Sequence, residues 1–104
     1  MNKSLLFGLD YDETYTASPA FFDALVMLCE TYGHKVVLVT NREGHGLHGE
    51  EVRMAIGEFL PIVFAGSKWK RDAAKEAGYE VDIWIDDTPQ MIAPQYIMQP
   101  RGSG

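Results

Sequence analysis

Two kinds of apolar pattern alternate along the chain. Short unbroken apolar runs are separated by stretches in which apolar residues recur every three or four positions. Ser4 to Leu9 is the first such run, and it stops at acids. KVVLVT, 35–40, is rich in β-branched residues and shows no alternation, as a strand covered on both faces does. PIVFAG, 61–66, and VDIWID, 81–86, read as a third and a fourth strand, and Gln95 to Met98 as a short fifth. Pro19 to Tyr32 reads as a helix, with Ser18 as its cap and Gly33 as its stop. Phe21, Phe22, Leu25, Leu28 and Cys29 make its inward face. NREGHGLHG, 41–49, reads as a loop. A second helix, Glu50 to Leu60, presents Val52, Ile56, Phe59 and Leu60 until Pro61 ends it. Lys70 to Ala77 is a third helix, closed by Gly78.

Strands alternating with helices at this spacing imply βαβ units. The expected fold is α/β: a Rossmann-like three-layer sandwich around a mostly parallel central sheet of about five strands. A chain of 104 residues fits one domain, here 1–98, with 99–104 as a flexible tail. Ligands of such sheets bind beyond the carboxyl ends of the strands. Asp10 and Asp12, Thr40 and Asn41, and Asp86 and Asp87 all fall at those ends. Lys68 and Lys70 fall just before the third helix.

Charge narrows the partners. A formal net charge of -6 disfavours long nucleic acid and anionic membranes, while a phosphorylated nucleic-acid end, which needs few contacts, stays open. No apolar run reaches membrane-spanning length. Acids interrupt the apolar stretch near the N-terminus, so no signal peptide is expected. The one cysteine, Cys29, lies in an apolar helical pattern and suits a reducing, cytoplasmic setting.

Side chains two apart on an extended segment point the same way, so Asp10 and Asp12 are expected to face one pocket. Joined by Asp86 or Asp87, they form a cluster of like charges that a hard divalent cation relieves, and Mg²⁺ suits carboxylates combined with substrate phosphate oxygens. A lysine adds fixed positive charge and Thr40 a hydroxyl. These are the parts that phosphoryl transfer needs.

DYDET, 10–14, matches the D-x-D-x-T signature of the haloacid dehalogenase-like (HAD) phosphohydrolases, and the chain resembles that superfamily over roughly 4–98. LVTN resembles its second motif, a lysine before a helix its third, and IWIDD its fourth. The resemblance implies a Mg²⁺-dependent phosphatase acting on a phosphate monoester through an aspartyl-phosphate. Asp10 would be the nucleophile, Asp12 the acid and base, and Thr40, Asn41 and Lys70 the phosphate ligands. Asp10, Asp12 through its main-chain carbonyl, and Asp87 would hold the metal, with Asp86 in support. Many relatives have Gly-Asp where this chain has Asp86-Asp87. Lys70 is favoured over Lys68, because it opens the helix.

The gaps between motifs leave no room for a cap domain. An open site implies either a bulky, macromolecular phosphorylated substrate or a neighbouring subunit as lid, and hence a homo-oligomer. The alternatives are a phosphatase active only with a partner subunit, and a non-enzymatic phosphate- or metal-binding regulatory module. Other residues receive plainer readings. Thr14 braces the loop. His45 and His48 are solvated loop histidines. Arg42 and Glu43 are read as surface residues in preference to substrate contacts. Trp69, Tyr79 and Trp84 are packing residues. For Tyr11 and Tyr15, lining the site entrance is the less favoured reading.

Overall fold

The computed structural model describes residues 3–94. Its sheet runs β1 (Leu6–Leu9), β2 (Lys35–Thr40), β3 (Ile62–Phe64) and β4 (Ile83–Ile85) in the order β3-β2-β1-β4. All three pairings are parallel. The α/β class and the layered sandwich are as expected. Among the described residues the strand count is four rather than about five, and the candidate fifth strand, 95–98, lies outside them.

β2 explains the layering. Val36 and Leu38 point into one core and Val37 and Val39 into another, because successive side chains of a strand face opposite ways. The first core is closed by α1 (Pro19–Thr31) and α2 (Gly46–Ile56), through Val26, Cys29, Val52 and Ile56. The second is closed by α3 (Lys70–Glu76), through Ala73 and Ala74. Tyr11 and Tyr15 belong to the first core, their rings stacked at 5.9 Å, and so do not line an entrance.

Two helix expectations need correction. α1 turns inward on Phe22, Leu25, Val26 and Cys29, whereas Phe21 and Leu28 are 59% and 54% exposed. Apolar residues occur on both sides of this helix, so spacing alone admits two registers. α2 begins at Gly46 and ends at Ile56, not at Glu50 and Leu60. Its glycines read locally as loop, yet Gly49 is a packing requirement. A Cβ there would meet the carbonyl carbon and oxygen of Gly44 at 2.6 Å. Gly57, at φ 59°, then ends the helix, leaving Phe59 and Leu60 beyond it.

The strand order places the site. The chain moves outward from β1 to β2 to β3, then crosses back to lay β4 on the far side of β1. That reversal opens a crevice at the carboxyl ends of β1 and β4. Gly8 makes room for a side chain of β4: it pairs with Trp84, and a Cβ on it would lie 2.8 Å from the indole ring.

Gly49→Ala is expected to lower the unfolding free energy by about 1–3 kcal/mol, because the neighbour is main chain that cannot swing aside. The loss should appear in urea denaturation even though alanine is the better helix former by about 1 kcal/mol. A variant as stable as the parent would show that α2 tolerates a wider approach to the loop.

Candidate active site

β1 ends at Leu9, and the main-chain N–H of Asp10 still extends the ladder by donating to the Ile85 carbonyl at 3.0 Å. The chain then turns sharply. Glu13 takes the left-handed conformation, φ 61°, at a cost of about 1–2 kcal/mol. Its N–H donates to Thr16 Oγ1 at 2.9 Å. Residues 10–14 are therefore a turn and not an extended segment, and the two acids reach one cavity by different routes. Asp10 is buried at the floor. Asp12 stands at the rim, its side chain 50% exposed.

The floor is an ionic cluster. Lys70, 2% exposed at the start of α3, donates from Nζ to Asp10 Oδ1 at 2.7 Å and to Asp86 Oδ2 at 2.6 Å. The other oxygen of Asp86 accepts the Thr88 N–H at 2.9 Å. Thr14 braces the group, donating from Oγ1 to Asp10 Oδ2 at 3.0 Å and accepting the Asp87 N–H at 3.2 Å. Lys68 lies outside it, exposed and paired with Glu76 at 2.6 Å.

Asp10, Asp86 and Asp87 each offer a carboxylate oxygen, all within 4.8 Å of one another. Three acids therefore face one ammonium. Burial, opposed by Lys70 and reinforced by Asp87, pushes the Asp10 carboxyl up to about 6. Asp87 is held below its ordinary value, first by its hydrogen bond with Asp10. A hard divalent cation would relieve this crowding of acids, and an all-oxygen donor set fits one.

One cavity of about 270 Å³ takes in Asp10, Asp12, Thr40, Asn41, Lys70, Asp86 and Asp87. The acids, the threonine, the asparagine and the favoured lysine of the four motifs thus all line it. Thr40 is buried at the end of β2, where its Oγ1 accepts the Arg42 N–H at 3.2 Å. Asn41 ties the loop after β2 to the loop after β3, donating to the Gly66 carbonyl at 3.0 Å.

No family model, curated protein or solved structure matches this chain.

Sequence reasoning missed what holds Asp12. Arg42 is not a free surface residue. It donates to both oxygens of Asp12, at 3.0 and 2.8 Å. It also donates to Glu51 at 2.6 Å and to the His48 carbonyl at 2.8 Å. Its position two residues after Thr40 is the one local signal. The partners lie on other elements and leave no mark in the neighbouring sequence. His48 and His45 stay exposed, with His48 inside α2 rather than in a loop.

The excess of acid over base sets opposite expectations for two substitutions. Lys70→Met strands Asp10 and Asp86 without their cation and should cost about 3–5 kcal/mol at neutral pH. Asp10→Asn should do the reverse in chelator. The native Asp10 holds its proton up to about 6, while the unfolded chain releases it near 3.8. The native state therefore binds more protons between those values, and its stability falls as pH rises through them. Asparagine has no proton to lose, so the variant should exceed the parent by on the order of 1–3 kcal/mol at pH 7 and by nothing near pH 3.5. Urea denaturation across pH decides both; parallel pH profiles for Asp10→Asn and the parent would contradict the charge imbalance.

Proposed function

We propose that the protein is a Mg²⁺-dependent phosphatase of the HAD-like type, hydrolysing a phosphate monoester through an aspartyl-phosphate. One observation carries the reading: a buried carboxylate held by a lysine, with two further acids and a threonine hydroxyl, at the switch point of a parallel sheet. Each residue then has a task. An oxygen of Asp10 attacks phosphorus as the ester P–O bond breaks, and Asp12 gives the leaving oxygen its proton. Asp12 next takes a proton from water as that water attacks the phosphoryl group. The bond to Asp10 breaks and inorganic phosphate leaves. Lys70 and the Thr40 hydroxyl bind the phosphate oxygens, with the Asn41 N–H beside them. Asp10, Asp87 and the Asp12 carbonyl would hold Mg²⁺, with Asp86 in support, and the ion supplies charge neutralisation for the transferring group.

The size of the cavity bears on the substrate. At about 270 Å³ it falls below the range of roughly 300–1,000 Å³ usual for small-molecule sites. Asp12 at its rim is half exposed, and an open rim of this kind favours a phosphorylated macromolecule or a site completed by a neighbouring subunit.

Phosphate release should be measured from aryl, nucleotide, sugar, phosphopeptide and phosphate-ended oligonucleotide esters, with Mg²⁺ and with chelator. Release should require the metal, and Asp10→Asn should remove it by at least ~10⁴-fold. Folded, metal-loaded protein that releases phosphate from none of them would point instead to the non-enzymatic binding module.

A further inference from the structure

Arg42 is held more firmly than a surface arginine needs to be. Its side chain is 18% exposed, and its guanidinium lies 5.1 Å from the centre of the Tyr11 ring, itself part of the core. Besides the two bonds to Asp12, it is anchored on the far side by Glu51 and the His48 carbonyl, both on α2. The loop carrying Arg42 is fixed in turn. Arg53 of α2 donates to the Gly44 carbonyl and lies over the Phe64 ring at 4.9 Å, and Gly49 closes on Gly44 from behind. A continuous chain of contacts thus runs from α2 through the guanidinium to the carboxylate of Asp12.

A half-exposed ion pair of this kind contributes only about 0–1 kcal/mol to stability. Its weight lies in geometry. Asp12 sits on a turn at the cavity rim, and a lone aspartate there has several rotamers open to it. A planar fork that occupies both oxygens selects one, which lysine, a point charge, does not do.

We infer that Arg42 is a positioning residue that orients Asp12 for proton transfer to the leaving oxygen, with Glu51 as its outer anchor. The inference rests on the phosphatase reading above. It adds that the aid to the leaving group is delivered from α2, through a residue that need not touch the substrate.

The test compares two esters. p-Nitrophenyl phosphate has a good leaving group and needs little protonation; a simple alkyl phosphate needs much. Arg42→Lys should lower kcat/KM for the alkyl ester by roughly 30- to 100-fold, as misplacing a catalytic group does, and for the aryl ester by no more than about three-fold. Glu51→Gln, at a carboxylate 65% exposed, should shift the same ratio by roughly three- to ten-fold. In an Asp12→Asn background Arg42→Lys should change the alkyl value by less than about two-fold, since coupled residues are not additive. Equal losses on both esters, or a full loss persisting beside Asp12→Asn, would overturn the assignment and make Arg42 a substrate contact or a structural residue. No release by the parent protein from these two esters or from any other ester of the panel above would overturn the phosphatase reading itself.

Discussion

The site depends on one buried ammonium. Lys70 is almost wholly removed from water, and it is tolerable there only because two carboxylates meet it, Asp10 from the end of β1 and Asp86 from the end of β4. Those two strands are neighbours only because the chain reverses direction across the sheet. The ion cluster and the topology therefore specify each other. A slip of β4 by one residue against β1 would turn every side chain of β4 to the wrong face and carry Asp86 away from the lysine. With Asp87, three carboxylates share the charge of one lysine. The site is thus left short of positive charge, which a divalent cation is suited to restore.

Around this floor the fold builds a rim from the opposite layer. α3 supplies Lys70 from one face of the sheet, while α2, on the other, holds Arg42 and through it Asp12. The nucleophile candidate is thus fixed from one layer and the acid–base candidate from the other. The left-handed Glu13 is a conformational cost of this arrangement. It lies beside Asp12, and backbone strain tends to be retained at such places.

Much of this is legible in the sequence. A strand buried on both faces must be apolar throughout, so KVVLVT announces itself. Acids directly after such a run are costly unless something is to be bound, so the chemistry at the strand ends is visible too. The order of helices and strands follows from periodicity for the same reason: burial repeats at two residues or at three to four, and a local window contains the whole repeat. Periodicity is weaker where a helix is apolar on both sides, as at Phe21 and Leu28, and where a glycine has a packing role that its local preference contradicts, as at Gly49.

Other features cannot be read locally, because they are meetings between distant residues. Lys70 finds Asp10 across 60 positions, and Arg42 finds Asp12 across 30. Lys70 is favoured over Lys68 in sequence only by its place at the helix start, and it becomes the buried cation because that helix begins against the strand ends. Asp10 and Asp12 likewise look like a matched pair. The turn at Glu13 sends one to the floor and the other to the rim, and the partner waiting at each place separates their environments. Local pattern therefore settles which segments are buried and where the acids sit along the chain. Which charge meets which depends on how the strands are ordered, because long side chains reach their partners through space that no sequence window describes.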